Sequence, residues 1–382
     1  MAFPGSTASS GKSRAAGVAG AAGLIAASIV FGVAMVEFLC HVFLPSFGQP
    51  VYQWDRRIMF FDGAGSIFEN HGDVFTYVPH DDIRSLTVYF SDRSFDVEYD
   101  YRFHTNNYGL VQDADVVASR PSLLLLGDSF TEGQGAAPWF RQLAAANRSN
   151  SYQLVNGGLL ATGFAQWRLL DRHLQAFDVN VKKLVVIFIS DDFTRLPGTV
   201  SETVLRCLSS SAFCGEQSDY YRLPPARELP QWVDDVRALR TADVGPVHHF
   251  LRRALDVLPA THQVYHYVKA KLFLDESAAK QESRVAIFAF IKEHGADNVA
   301  FVHLPQKDET RGLNALGLEA RRAINDAGGK LYDGFAICGL GAADYHIHDG
   351  HPNARGYDKI ARCVGDVVRD MTATPDQQAH GS

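Results

Sequence analysis

Between residues 120 and 372 of this 382-residue chain, short apolar runs alternate with segments whose apolar residues recur at helical spacing. The runs Ser122–Leu126, Tyr152–Asn156, Lys183–Ile189, Asn298–Leu304 and Lys330–Tyr332 read as strands. Trp139–Ala146, Ala165–Phe177 and Gly312–Ala327 read as helices, the last stopping at Gly328 and Gly329. The closing helix is the clearest, with Tyr357, Ile360, Ala361, Val364, Val367, Val368 and Met371 on one face at a period of about 3.6 residues. This alternation leaves few folds open. Helical crossovers cover both faces of a parallel sheet, so the expected fold class is α/β.

Three stretches depart from the alternation. Residues 45–118 are rich in aromatic and β-branched residues, with strands expected at Ser85–Phe90 and Phe95–Phe103, and form a β-rich lead-in. Residues 200–280 read as an insertion, a loop followed by helices around Trp232–Leu239 and Val247–Leu258. The tail at 374–382 is polar and reads as disordered. There is no internal repeat.

The N-terminus has a different chemistry. Ala15–Val36 contains no charged residue, and as a helix it is about 33 Å long at ~1.5 Å per residue, enough to cross a hydrocarbon core. Lys12 and Arg14 precede it, and the next Lys or Arg is Arg56. The positive-inside rule then places residues 1–14 in the cytoplasm, a signal anchor at 15–44, and the rest periplasmic or extracellular on a bacterial inner membrane. The alternative is a cleaved signal peptide, with Gly32-Val33-Ala34 as the small-residue site; apolar sequence continuing through Leu44 argues against it. Export favours pairing among the five cysteines, with Cys207–Cys214 and Cys338–Cys363 expected. The formal net charge of −7 gives no basic footprint for nucleic acid, and no Walker loop or Gly-x-Gly-x-x-Gly follows a strand. No cofactor is expected.

The candidate chemistry lies where the first strand of the alternation ends. Ser129 follows an apolar run and precedes a turn containing Gly133 and Gly135. Ligands of open α/β sheets bind at the carboxyl ends of strands. A nucleophilic serine there needs a base and an orienting acid, and Asp349-Gly350-His351 offers both. His346 and His348, alternate residues, raise a metal site; no other His or Cys cluster supports one, so none is expected.

Four blocks carry a resemblance. Leu123 to Gly133 (LLLLGDSFTEG), Val155 to Gln166 (VNGGLLATGFAQ), Val185 to Phe193 (VVIFISDDF) and Asp349 to Tyr357 (DGHPNARGY) occur in order over about residues 100–372, after Thr105 to Leu110 (TNNYGL). In these the chain resembles the SGNH (GDSL-type) hydrolase superfamily, in particular its membrane-anchored members. The resemblance implies a flavodoxin-like three-layer α/β/α sandwich over 119–373 and acyl-ester chemistry. It makes Ser129 the nucleophile, His351 the base and Asp349 the acid. The oxyanion hole falls to the Ser129 and Ala161 N–H groups, with Gly163 a further candidate and Asp191 at the third-block position. Two departures stand out: Ala161 replaces a glycine, and Asp191 replaces an asparagine that donates an N–H. An ionised carboxylate has no donor, so Asp191 serves only if burial keeps it protonated. The implied substrate is an acyl ester, on carbohydrate or another cell-envelope component, with the bilayer as a second partner through the N-terminal helix. Acyl transfer to polysaccharide and a non-catalytic envelope protein are the alternatives.

Overall fold

The computed structural model describes residues 23–25, 27–39, 57–90, 94–136, 138–147, 151–242, 258 and 276–373. Two compact units are distinguished, Met1–Gln53 with Thr241–Leu274, and Trp54–Arg240 with Asp275–Ser382. In the first unit, residues 23–25 and 27–39 are helical. Large apolar side chains there, among them Leu24, Ile29, Val30 and Phe31, are exposed. Among the described residues no helix is long and apolar enough to cross a membrane, so the full span expected at 15–44 is not found there. The remainder of that span, the 1–14 segment, the 374–382 tail and the helix expected around Val247–Leu258 lie outside the described residues, apart from Leu258, which is not helical.

The second unit contains a five-stranded parallel sheet: β6 (Ser122–Gly127), β7 (Gln153–Gly158), β8 (Val181–Phe188), β10 (Val299–His303) and β11 (Lys330–Asp333). Its order is β11-β10-β8-β6-β7. Numbered within the sheet this is 2-1-3-4-5, the doubly wound flavodoxin-like order, and β6 and β8 flank its switch point. The two faces are filled by alternate residues. Leu124, Leu126, Val186 and Phe301 pack with α3 (Phe164–Ala176), α6 (Glu276–His294) and α7 (Ala315–Asp326). Leu123, Leu125, Ile187 and Val302 pack with α2 (Phe140–Ala146), α8 (Gly334–Cys338) and α9 (Ala354–Thr372). Burial on both faces is why the strand residues Leu123 to Leu126 show no polar alternation.

The lead-in is a second sheet that contains both expected strands. β1 (Arg57–Asp62), β4 (Asp82–Phe90) and β5 (Phe95–His104) are joined by β9 (Tyr220–Arg222) in the order β5-β4-β1-β9, with a hairpin of β2 (Phe68–His71) and β3 (Val74–Tyr77) beside it. β9 comes from the stretch read as an insertion loop, and so does α4 (Glu202–Ser209), which corrects that reading. With α5 (Leu229–Ala242), these elements supply Cys207, Tyr221, Trp232 and Val236, which cover Ile58, Phe60 and Val88 on one face of the lead-in sheet. Its other face, through Met59, Tyr99, Tyr101 and Phe103, is continuous with the core of the main sheet. Cys207 is bonded to Cys214, and Cys338 on α8 to Cys363 on α9.

Candidate active site

Ser129 opens α1 (Ser129–Glu132), a single turn at the carboxyl end of β6. Three devices fix it. The Asp128 carboxylate caps the turn by accepting the Phe130 N–H at 2.9 Å. Gly133, at φ 101°, ends it in a conformation that costs other residues strain. The Trp139 indole N–H donates to the Phe130 and Thr131 carbonyls, both at 3.0 Å. Trp139 and Phe140 are core residues, 1% and 4% exposed. Below the turn the backbone of β7 approaches so closely that a Cβ on Gly158 would lie 2.2 Å from the Glu132 nitrogen.

His351 and Asp349 arrive on the segment between α8 and α9. The His346 N–H donates to the His351 carbonyl at 3.0 Å, closing a loop over residues 346–351. Lys307 Nζ ties that loop to the end of β10 by donating to the carbonyls of His346 and Ile347 at 2.6 and 2.7 Å. The loop brings His351 Nε2 to 2.7 Å from Ser129 Oγ, and His351 Nδ1 to 2.5 Å from Asp349 Oδ1. Residues 222 apart in sequence thus share one hydrogen bond. Burial pushes the Asp349 carboxyl up, but His351, Arg57 and the Tyr99 hydroxyl outweigh it and hold the group far below the usual carboxylate range. An ionised Asp349 can only accept, which assigns the proton to His351 Nδ1 and leaves Nε2 to accept from Ser129.

The other predicted residues are less well placed. Ala161 sits at φ 59°, in the left-handed region where the family glycine carries no penalty. Gly163 caps α3, and a Cβ there would lie 2.6 Å from the Asp192 carbonyl, so its smallness serves packing. Asp191 is exposed, and its Oδ2 accepts from Gln306 Nε2 at 2.9 Å. The burial needed to make it a protonated donor is missing, so it is removed from the oxyanion set. Its neighbour Asp192 is the buried one, paired with Arg195 at 2.5 Å; the same Arg195 Nη1 donates to Asp128 Oδ2 at 2.9 Å and to the Thr162 carbonyl at 3.0 Å. This arginine clamps the ends of β6 and β8 together across the switch point.

A second Ser–His pair lies at the ends of β8 and β10. Ser190 Oγ is 3.1 Å from His303 Nε2 and donates to Glu309 Oε1 at 2.6 Å. Arg321 Nε donates to His303 Nδ1 at 2.8 Å. That bond occupies the Nδ1 lone pair, so Nε2 carries the hydrogen and cannot take a proton from Ser190. Burial, with Arg321 adding to it, pushes His303 down to about 3, which keeps the ring neutral. The pair is a structural lock. His346 and His348 do not converge: His346 Nε2 is 2.9 Å from the Gly135 carbonyl, while the His348 N–H donates to Glu98 Oε1 at 2.7 Å. Among the described residues no group of three or more His, Cys, Asp or Glu is placed to hold a metal ion.

Sequence reading also missed partners supplied by the lead-in sheet. The Tyr99 hydroxyl donates to Asp349 Oδ2 at 3.0 Å and accepts from Gln134 Nε2 at 2.5 Å. The Tyr77 hydroxyl donates to Glu132 Oε1 at 3.0 Å. Glu132 and Gln134 are therefore buried links between the Ser129 turn and the lead-in. No sequence signal marks these tyrosines, because strand aromatics are ordinarily core.

No family model and no curated protein matches the chain. Among solved structures it is similar to the crystal structure of AlinE4, an SGNH-hydrolase family esterase, with 12% identity, a TM-score of 0.30, and coverage of 67% of this chain and 98% of that one. A mutant of the same esterase gives 14% identity and a TM-score of 0.27, covering 67% and 97%. A likeness of that extent does not bear on activity.

Proposed function

We propose that this protein is a serine esterase of the SGNH type, cleaving acyl esters, acetyl esters first among them, on carbohydrate or other cell-envelope substrates. The observation that carries the reading is the continuous chain from Ser129 Oγ through His351 to Asp349, at 2.7 and 2.5 Å, at the switch point of the sheet. His351 Nε2 takes the Ser129 proton as Oγ attacks the ester carbonyl, and the Ser129 and Ala161 N–H groups receive the oxyanion. The imidazolium returns the proton to the departing alkoxide, leaving an acyl-enzyme. Water, deprotonated by the same histidine, releases the acid.

A second reading, acyl transfer to a sugar hydroxyl, uses the same residues. Ser129 and His351 are each 6% exposed, so the outcome depends on which acceptor, water or a sugar hydroxyl, fits against the acyl-enzyme. The test is hydrolysis of p-nitrophenyl acetate by the wild type and Ser129→Ala, with and without a polysaccharide acceptor. Cleavage that persists in Ser129→Ala refutes both enzyme readings. Acyl-sugar product selects transfer. No cleavage by the wild type favours the non-catalytic alternative.

Attachment to a membrane by residues 15–44, with the enzyme unit exported, is part of the same proposal. The uncharged Ala15–Val36 run after Lys12 and Arg14, the exposed apolar side chains from Leu24 to Leu39, and two disulfides support it. Carbonate extraction of the full chain checks it, since release into the soluble fraction contradicts an anchor.

A further inference from the structure

We infer that the lead-in sheet is part of the site: Arg57 and Tyr99 are positioning residues that orient the Asp349 carboxylate on His351. The inference rests on the serine esterase reading and assigns work to a region outside the blocks that carry the resemblance. Asp349 is 1% exposed, and its two oxygens face different parts of the chain. Oδ1 takes the His351 ring at 2.5 Å and the His351 backbone N–H at 3.1 Å. Oδ2 is held from the lead-in, by the Tyr99 hydroxyl at 3.0 Å and the Arg57 guanidinium at 3.8 Å. Tyr89 packs its ring against His348 of the 346–351 loop, with ring centroids 5.8 Å apart.

The strand register explains how three strands reach one loop. Arg57 on β1 is directly opposite Tyr89 on β4, and Thr87, two residues back on β4, is opposite Tyr99 on β5. Tyr89 and Thr87 share a face because strand side chains alternate. The register then slips between Thr87 and Val88, whose partners are Tyr99 and Val97. That irregularity leaves Glu98 out of the pairing, and bulges of this kind re-aim side chains near sites. Consecutive residues of a regular strand point to opposite faces, yet here both reach the 346–351 loop. Glu98 accepts the His348 N–H at 2.7 Å while Tyr99 bonds Asp349. The Gln134 amide, two residues past α1, closes the circuit by donating to the Tyr99 hydroxyl at 2.5 Å. Nucleophile turn, lead-in sheet and acid loop are thus linked through a single phenol.

The other ionisable groups facing Asp349 among the described residues are Tyr101 on β5, His346 on its own loop and Lys307 beyond β10. Past His351, Asp128 Oδ2 lies 3.5 Å from Ser129 Oγ. None of these is changed in the test.

The full chain is compared with Tyr99→Phe, Arg57→Gln and Arg57→Lys. The first readout is the pH dependence of kcat/KM for p-nitrophenyl acetate, the second the NMR titration of the His351 ring. Tyr99→Phe is expected to lower kcat about tenfold with KM changed less than twofold, since a misplaced acid affects the base and not ground-state binding. Arg57→Gln removes a cation facing the Asp–His pair, so the acid limb and the ring titration both move to higher pH, by about one unit. Arg57→Lys restores both. Folded variants with unmoved limbs and an unmoved ring titration overturn the inference. If the wild type shows no Ser129-dependent cleavage, the esterase reading fails. The ring titration of Arg57→Gln still decides whether Arg57 acts on the Asp349–His351 pair.

Discussion

Glu132 offers a test of the burial beneath the nucleophile turn, through Glu132→Gln. Its carboxyl is 2% exposed; Oε1 accepts from the Tyr77 hydroxyl at 3.0 Å, and Oε2 has no hydrogen-bond partner among the described residues. Burial pushes the group up to about 8, against the opposing effect of the Tyr77 donor, and the nearby Asp128 charge adds to the rise. In the unfolded chain a glutamate ionises near its ordinary value of 4.5. Between these two values the folded state holds a proton that the unfolded state has released, so stability falls as pH rises from about 4.5 to about 8 and is flat above. The slope is about 1.4 kcal/mol per pH unit, which sums to roughly 5 kcal/mol as an upper limit, since water reaching the carboxylate on ionisation reduces it. Glutamine mimics the neutral acid. Urea denaturation of both proteins from pH 5 to pH 9 should therefore give similar stabilities at the acid end, within about 1 kcal/mol. Above pH 8 Glu132→Gln should be more stable by several kcal/mol. Taking the difference cancels every other titrating group. Two parallel curves across pH 6 to 8.5 would show that Glu132 is ionised in the folded protein and refute the reasoning.

Three further outcomes follow from the geometry. Gly158→Ala places a Cβ 2.2 Å from the Glu132 nitrogen and 2.5 Å from the Thr131 carbonyl carbon, both backbone, so the nucleophile turn must shift. A loss of more than tenfold in kcat, with about 1–3 kcal/mol of stability in urea, is expected. Ala161→Gly relieves a left-handed residue at φ 59° at the expense of a floppier unfolded chain, giving a net gain of up to about 1 kcal/mol and unchanged or higher kcat. Serine at both Cys338 and Cys363 opens a loop with a sequence separation of 25, for a loss of about 3.5 kcal/mol by the chain-entropy account. Thermal unfolding of that double variant, set against the wild type under non-reducing conditions, checks the figure.

Much of the main sheet was legible because its code is local. The central strands β6, β8 and β10 are apolar runs, and α9 repeats its pattern over about four turns. α6 was not: Val285 and Phe288 are exposed apolar residues, while Ser283 is buried, so no clean face marks it. β9 escaped notice because three residues carry no period, and it is a strand only through its pairing with β1. The pattern also ran out at Asp191 and Asp192. Block order pointed to the first of two adjacent aspartates, and only packing shows that Asp192 turns inward to Arg195 while Asp191 faces solvent.

By itself the sequence determined that a parallel α/β sheet would form and that Ser129 would stand at the end of its first strand, since periodicity and a strand–turn junction are properties of neighbouring residues. It also paired His351 with Asp349 as candidates, two positions apart. The tertiary structure decided the rest, because the deciding contacts are long-range. It set Ser129 against His351 across 222 residues, disqualified Ser190 through the donor on His303, and closed Asp349 with Tyr99 across 250 residues. A tyrosine in a strand reads as core in any window of sequence. Only the register of β4 and β5, with its slip at Glu98, turns that phenol toward the acid.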